Sequence, residues 1–218
     1  MNRWLDRGIT LLLLALLGWA GCSMLHWLLV AADWSVVTTN LPLYAVGSFP
    51  ADQRWRPLLW MAALITLTLL TLAGPKRGWV RRWLPLVWIA MAPLGLWLLA
   101  GGLGLLPVGT RSWGGLTLTL LLTGGSGALA LPLGILLALG RRSELPVLRW
   151  SSAAYIELMR AVPLIAVLFF GQLLIPLFLP PGLEINRVLR AVVAFALFAA
   201  AYIAEDVRGC LLYTSPSP

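Results

Sequence analysis

Apolar residues fall in long runs along the chain, and short segments that hold most of the charges separate one run from the next. A helix needs roughly 20 apolar residues to cross the hydrocarbon core of a bilayer. The runs are continuous and rich in Leu, with none of the apolar–polar alternation typical of transmembrane β-barrels. The pattern predicts an all-α, polytopic membrane protein with about six transmembrane helices, over residues 9–31, 57–74, 83–106, 115–139, 158–179 and 188–204, the last of them interrupted by Arg190.

Composition indicates a chain that is surrounded by lipid. Hydrophobic residues make up 60% of the 218 and charged residues 11%, whereas a soluble domain usually carries about 25% charged residues. The formal net charge is +8, but the basic residues lie in short clusters between apolar runs, as Arg81 and Arg82 do. Such clusters fix orientation in a membrane and do not form the continuous basic groove of a nucleic-acid-binding protein. We expect no nucleic acid as a partner.

The distribution of Lys and Arg predicts the orientation. The N-terminus, residues 75–82, residues 140–152 and the end of the sixth run hold ten of them, and the alternate segments at 32–56, 107–113 and 180–190 hold five. Cytoplasmic loops carry the excess of Lys and Arg in membrane proteins. The N-terminus is therefore predicted to lie in the cytoplasm.

The first run has a rival interpretation as a signal peptide. Arg3 and Arg7 precede it, and residues 19–22, Trp-Ala-Gly-Cys, loosely resemble a lipoprotein cleavage site. The apolar stretch continues to Ala32, whereas the core of a cleaved signal has only about 7–15 residues. An uncleaved helix is the favoured interpretation.

Many tryptophans lie near the ends of the runs, where their amphipathic rings can anchor a helix at the lipid headgroups. A ligand site lined with tryptophan is the alternative interpretation. The residues concerned are Trp34, Trp55, Trp60, Trp79, Trp83, Trp113 and Trp150.

Residues suited to catalysis are scarce. His26, the one histidine, lies within the first run, which favours a role in helix packing over that of a general base. The sequence has no G-x-x-x-x-G-K-[ST] phosphate loop, so an ATPase would have to be another chain. Cys22 and Cys210 have no metal or disulfide spacing. We expect no catalytic residue, no metal site and no cofactor.

Two groups of small residues lie in the fourth run. Residues 114–119, Gly-Gly-Leu-Thr-Leu-Thr, open it, and residues 124–128, Gly-Gly-Ser-Gly-Ala, lie within it. Small residues let helix backbones approach closely, and Thr or Ser can form hydrogen bonds across the contact. Close packing is the simpler interpretation, and a helix that lines a passage is the alternative.

Glu157, Arg160 and Pro163 form the first candidate site. Glu157 and Arg160 are three residues apart, so they share one helix face and can form an ion pair, and Pro163 permits a bend at the base of the fifth span. Charges that enter a membrane segment are costly and mark a functional or gating position by default. Two interfacial side chains that snorkel to water are the alternative.

The second candidate site lies at the end of the sixth run. Glu205, Asp206 and Arg208 end an apolar helix just before Gly209, on the predicted cytoplasmic side. A docking surface for a cytoplasmic partner would use such residues, and an ordinary solvated helix end would use them as well.

These segments together resemble a known family. Residues 114–120 are similar to the opening of the transmembrane domain of polar amino acid ABC permeases of the histidine/glutamine type. The signature Tyr-x-Glu-x-x-Arg-x-x-Pro-Leu of that family is matched over residues 155–164, and the segment before its cytoplasmic coupling loop over residues 201–209. Residues 41–57 also resemble the extended, M-type subunit of general L-amino acid importers.

The resemblance implies an ABC-importer type I permease fold, incomplete here. An N-terminal membrane extension with about three transmembrane helices would occupy residues 1–110, and a partial permease domain residues 111–209. The implied function is that of a permease subunit for ATP-driven amino acid uptake by alternating access, in a bacterial inner (plasma) membrane. The implied partners are an ABC ATPase subunit, a second permease subunit, a periplasmic amino acid-binding protein and the lipid bilayer. Glu205, Arg208 and Gly209 are then candidates for the approach to the ATPase.

Residues 210–218 depart from the family pattern. The family continues into a Glu-Ala-Ala coupling helix, whereas this chain has two Ser-Pro pairs, which cannot continue a helix. We therefore expect a C-terminally truncated permease with a non-family tail, a last helix that ends at Arg208, and no coupling to an ATPase. The alternatives are a polytopic membrane enzyme acting on lipid or prenyl substrates, which would need a cluster of His and acidic residues, and a structural membrane scaffold.

Overall fold

A computed structural model of the chain describes residues 3–74, 78–180 and 182–214. Lys76 and Arg77 of the predicted cytoplasmic loop, and the Ser-Pro pairs at 215–218, lie outside the described residues. The chain divides into two compact units, one up to Leu41 and one from Pro42 onward. The predicted boundary between residues 110 and 111 separates the membrane extension from the permease domain. It does not coincide with the boundary between the two compact units, and it stays a prediction.

The first unit is a long apolar helix followed by a short one. Helix α1 (Arg3–His26) continues into a π-helical turn (Trp27–Ala31), and α2 spans Ser35–Thr39. In this unit none of the apolar window within residues 6–31 is buried, as expected for a helix that lipid surrounds. Between the two helices, hydrogen bonds from the side chain and the backbone of Ser35 hold the pKa of the Asp33 carboxyl below its usual range.

The second unit is built of helices throughout its described residues. Helix α3 (Leu41–Val46) begins at its boundary, and short 3₁₀ turns lie at Ala51–Gln53 and Thr110–Ser112. A π-helical turn (Phe170–Leu174) joins α8 to α9. The remaining helices are α4 (Trp55–Leu72), α5 (Gly78–Ala100), α6 (Gly115–Arg141), α7 (Pro146–Ala161), α8 (Leu164–Phe169), α9 (Ile175–Phe178) and α10 (Arg187–Thr214).

The predicted all-α, polytopic architecture is confirmed. In the described part of the chain, α1, α4, α5, α6 and α10 are long and apolar enough to cross a membrane. Helix α7 and the α8–α9 segment form a sixth candidate that is bent by 104°. The prediction of about six spans therefore holds, with the fifth span broken in two.

Two of the predicted helix ends differ from the structure by six residues each. The third span, expected to reach residue 106, ends at Ala100, because Gly101, Gly102 and Gly104 adopt φ values of 84°, 95° and 96° that lie outside the helical region. The last helix, expected to end at Arg208, continues to Thr214. Residues 210–214 contain no Pro or Gly, so nothing in their backbone opposes helix.

Trp60 and Trp113 are buried in the core of the second unit. Trp60 Nε1 donates a hydrogen bond to the Met91 carbonyl oxygen at 2.9 Å, and its ring packs against Gly95 of α5. Their assignment to an interfacial belt is therefore wrong. Trp34, Trp55, Trp83 and Trp150 are exposed, as a belt requires, and the Trp79 side chain lies outside the described part.

The first small-residue segment is a packing contact. Gly115 has φ 60° and lies against the carbonyl oxygen of Tyr44, and a Cβ on Gly47 would lie 2.5 Å from Gly114 Cα. Thr117 Oγ1 donates a hydrogen bond to the Ala45 carbonyl oxygen at 2.9 Å. The start of α6 is thus fixed against the end of α3 and the glycine that follows it.

Helices α6 and α10 pack along a seam of small residues. A Cβ on Gly134 would lie only 2.6 Å from Ile203 Cγ2 and 3.0 Å from the Ala200 carbonyl oxygen. Small side chains bring helix backbones together in this way. Of the second predicted group, Gly125 faces Val192 of α10, whereas Gly124 and Gly127 are exposed with no neighbour. The fully buried alanines of the seam are Ala130, Ala138, Ala196, Ala200 and Ala204.

Candidate functional site

Five charged side chains from three helices meet where α6 ends. We call this set the charge cluster. Ion pairs connect its members across α6, α7 and α10, which are far apart in sequence. The members are Arg141 of α6, Glu157 and Arg160 of α7, and Glu205 and Arg208 of α10.

Glu205 is the centre of the charge cluster. Its Oε1 accepts a hydrogen bond from Arg141 Nη1 at 2.6 Å and lies 3.8 Å from Arg160 Nη1. Its Oε2 accepts from Arg208 Nη2 at 2.8 Å and from Arg208 Nε at 3.0 Å. Only 16% of the Glu205 side chain is exposed. A partly buried carboxylate held by several guanidinium donors is a strong, geometrically specific contact.

Apolar packing beneath the charge cluster positions it. Ala138 of α6, Ile156 of α7 and Ala204 of α10 form one buried group. Gly140 lies against Ser152, which brings the middle of α7 onto the end of α6. The Tyr155 hydroxyl donates to the Leu197 carbonyl oxygen of α10 at 2.8 Å. These contacts bring the three charged helix ends together.

Glu157 and Arg160 do not pair with each other in the described part of the chain. Glu157 Oε1 instead accepts from Arg141 Nη2 at 3.2 Å, although 68% of its side chain is exposed. Arg160 faces α10, where its guanidinium lies near Glu205 and 5.9 Å from the centre of the Tyr202 ring. The residues share a helix face as expected, but each has a partner on another helix.

Pro163 marks the sharp bend between α7 and α8. Val162 adopts ψ 136°, as residues before Pro do, and the axes on either side differ by 104°. A bend at Pro163 was predicted, but its position relative to the fifth span was not. Glu157 and Arg160 lie on α7, before the bend, and not at the base of the apolar α8–α9 segment. The α8–α9 segment alone, at about 1.5 Å per residue, reaches only about three quarters of a bilayer core.

Gly209 lies inside α10, next to Arg208. A Cβ added there would meet no atom within 4 Å, so no steric contact requires glycine. Gly in a helix interior lowers helix stability by about 1 kcal/mol relative to Ala. The residue therefore lowers the stability of α10 next to the charge cluster although no steric contact requires it.

Sequence reasoning missed Arg141, which joins the two candidate sites. It was counted only as one of the basic residues that set orientation. The feature that could have identified Arg141 is its position directly after an apolar run. A charge at the end of a membrane helix lies close to the ends of neighbouring helices. Its partners, 16 and 64 residues away, could not be found from local spacing.

Comparisons with known proteins show what the chain is similar to. The chain is 41% identical over 196 residues to the inner membrane amino-acid ABC transporter permease protein YhdY of Escherichia coli (strain K12), a match that covers 88% of this chain and 53% of YhdY. The chain is a homologue of amino-acid ABC transporter permeases. The resemblance seen in the sequence is thereby confirmed.

Two further relatives agree with this assignment. The glutamate/glutamine/aspartate/asparagine transport system permease protein BztC of Rhodobacter capsulatus is 37% identical over 80% of this chain and 42% of BztC. The glutamate/aspartate import permease protein GltK of Escherichia coli O6:H1 is 34% identical over 43% of this chain and 44% of GltK. The chain spans about half the length of the curated relatives it matches. No family model matches the chain, and no solved structure matches it significantly.

Proposed function

We propose that this chain acts in the transmembrane permease subunit of an ATP-driven amino acid uptake system and forms part of a path that opens alternately to the two sides. The observation that carries the proposal is the 41% identity to YhdY over 88% of the chain. This match includes most of both the N-terminal helices and the helices of the charge cluster. Residues 1–110 would be the membrane extension, and residues 111–209 would belong to the permease domain proper.

The remaining parts of the uptake system would be separate proteins. The sequence has no phosphate loop, so an ABC ATPase subunit would hydrolyse ATP in the cytoplasm. A second permease subunit would complete the path, and a periplasmic binding protein would deliver the amino acid. The excess of basic residues supports a cytoplasmic N-terminus, and the printed name of YhdY supports the inner membrane.

In a permease that carries the family's coupling helix after these residues, the charge cluster would respond to the ATPase. In the proposed orientation the ends of α6 and α10 and the whole cluster lie on the cytoplasmic side. An ATPase that pushes on α10 near Glu205, Arg208 and Gly209 would strain the contacts of Glu205 with Arg141 and Arg160. Ligands shift an equilibrium only through contacts that differ between two states, and the Arg–Glu contacts are such contacts. The bend at Pro163 would then let α8 and α9 follow the movement of α7.

Uptake by the organism that encodes the chain tests this function. The gene is deleted and restored, and the uptake of tritium-labelled glutamate, glutamine, aspartate and asparagine is measured, since relatives carry these names. Loss of uptake on deletion, its return on restoration, and its arrest when ATP is depleted are expected. Normal uptake of every amino acid by the deletion strain would reject transport and favour a scaffold, and altered membrane lipids would favour the lipid or prenyl enzyme.

A further inference from the structure

A crevice lies at the opposite end of α10 from the charge cluster. A cavity of about 260 Å³ opens between α6, the π-helical turn Phe170–Leu174 and the first turns of α10. Both α6 and the π-helical turn pack on α10, so α10 forms the floor of the space between them. We call this space the crevice. Its lining residues are Leu118 and Leu122 of α6, Gln172 of the turn, and Arg187, Val188 and Ala191 of α10.

The crevice is polar at one end and apolar along the rest of its length. Arg187 is the first residue of α10, a candidate span, so its guanidinium lies near a surface of the bilayer. Gln172 Nε2 donates a hydrogen bond to the Arg187 carbonyl oxygen at 2.9 Å, which places a second polar side chain at the same end. Leu122 and Ala191 lie at least one turn inside the spans α6 and α10. A lining divided in this way suits an amphiphile with a charged head and an apolar chain.

Arg187 carries a charge that no acidic side chain neutralises among the described residues. Its Nη2 donates to the carbonyl oxygens of Thr110 at 2.9 Å and of Arg111 at 3.1 Å. These two bonds fix the guanidinium at the end of the crevice, and the side chain is still exposed. The donors of a guanidinium match the oxygens of a phosphate group, and basic pockets between membrane helices bind lipid headgroups.

The wall opposite α6 is formed by an irregular piece of helix. Short π-helical segments often occur at functional sites, and this one lies close on α10, with the Cβ position of Gly171 only 3.1 Å from Ala194 Cβ. Gln172 follows directly and lines the crevice. A polar side chain within an apolar segment is costly unless it has a function or a partner. The polar end of the crevice is therefore built by two helices together.

We propose that the crevice binds one phospholipid of the surrounding membrane, with the phosphate at Arg187 and part of one acyl chain along Leu122 and Ala191. Pockets that enclose a whole small molecule measure roughly 300–1,000 Å³. The smaller volume here fits a ligand that remains mostly in the bilayer. The site does not depend on transport, nor on which side of the membrane Arg187 faces, because either surface supplies phospholipid phosphates.

Photo-crosslinking by a lipid probe locates the bound chain. The 218-residue chain, purified in dodecyl maltoside, is incubated with phosphatidylglycerol that carries a diazirine in one acyl chain, and crosslinked peptides are identified by mass spectrometry. Crosslinking to the crevice should saturate as the probe is increased. The exposed surface of α5 around Ile89 reports the lipid that surrounds any membrane helix, and crosslinking there should rise without saturation.

Variants test the two ends of the crevice separately. Arg187→Gln should lower crosslinking in the crevice about tenfold, as loss of a charged hydrogen bond does, and Arg187→Lys should restore part of it. Ala191→Phe should fill the apolar part and abolish crosslinking there while the contacts of Arg187 stay intact. The matched control is Arg111→Gln, because the Arg111 side chain is exposed and only its carbonyl oxygen accepts the bond from Arg187. Size exclusion and thermal unfolding establish that each variant is folded.

Competition identifies the group that is recognised. Dodecyl phosphate should displace the probe from the wild-type crevice at a concentration about tenfold lower than dodecanol, which has the same chain without the charge. Arg187→Gln should lose this preference, which a merely structural role of Arg187 would leave unchanged. Inorganic phosphate should not displace the probe at the concentrations at which dodecyl phosphate does. Displacement by inorganic phosphate would assign Arg187 to a free anion and overturn the proposal.

Two further results would contradict the lipid site. Crosslinking that rises in parallel in the crevice and on α5, without saturation, would show only the lipid that surrounds every span. Unchanged crosslinking in a folded Ala191→Phe variant would show that no acyl chain occupies the crevice.

Discussion

Arg141 at the end of α6 lies 2.6 Å from the carboxylate of Glu205 in α10, and this contact joins residues that are 64 positions apart. Arg208 holds the other oxygen of the same carboxylate. The two candidate sites that the sequence suggests separately are therefore one structure, with Glu205 at its centre.

Replacing Glu205 should destabilise the protein. Glu205→Gln leaves Arg208 without a carboxylate and Arg141 with only the largely exposed Glu157. We expect a loss of about 1–3 kcal/mol, less than for a fully buried pair because the arginines reach solvent. Thermal unfolding in detergent measures the effect. Asp206→Asn is the matched control, since Asp206 is the exposed neighbour on the same helix. Equal stability of the two variants would show that the charge cluster contributes nothing.

Glu157 should be coupled to Arg141 and not to Arg160. Double-mutant cycles of Glu157→Gln with Arg141→Gln and with Arg160→Gln separate the two possibilities. We expect at most about 1 kcal/mol for the first cycle, because Glu157 is largely exposed, and close to zero for the second. Larger coupling to Arg160 would restore the pairing that the sequence suggested.

Replacing each of two glycines of α6 by alanine should change the stability of the protein in opposite directions. A Cβ on Gly134 meets Ile203 at 2.6 Å, so Gly134→Ala should cost about 1–3 kcal/mol through overpacking of the α6–α10 contact. Gly127 is exposed and has no neighbour within 4 Å, so Gly127→Ala should leave stability unchanged or raise it. Thermal unfolding of both variants under identical conditions shows which is less stable. Destabilisation by Gly127→Ala alone would contradict the packing of α6 on α10.

Gly209 should matter for movement more than for stability. Gly209→Ala has room for its methyl group and should stabilise α10 by up to about 1 kcal/mol. If α10 must flex beside the charge cluster, uptake by a strain that carries this variant should fall while the amount of protein in the membrane stays constant. Uptake at the wild-type rate would exclude a hinge at this position.

The predicted orientation can be measured with single cysteines. In a chain whose Cys22 and Cys210 are replaced by Ser, Asp52→Cys and Arg142→Cys place a thiol at exposed positions on the two predicted sides. A membrane-impermeant maleimide should label residue 52 in intact cells, and residue 142 only after the membrane is opened. Labelling of both from outside would overturn the orientation and, with it, the cytoplasmic placement of the charge cluster.

The spans were predictable from the sequence because each depends on one local property, a long apolar run. The charge cluster was not, because it depends on which helix ends meet. Arg160 had a local partner at the correct spacing in Glu157, yet α10 supplied a better one. Trp60 and Trp113 were misassigned because an amphipathic ring suits a core and an interface equally well. Pro163 predicted a bend but not its angle of 104°, because α7 also packs on α6 and α10.

The buried alanines of the seam between α6 and α10 would let one helix shift along the other with little side-chain rearrangement. Alanine has no side-chain rotamers to reset, so axial displacement of one helix along the other meets little resistance from the seam itself. Its resting position is then held by several contacts, among them Ile203 against Gly134 and Glu205 against Arg141. Ile203 and Glu205 lie in the same stretch of α10. A displacement of α10 by one helical turn, about 5.4 Å, would therefore break both of these contacts at once.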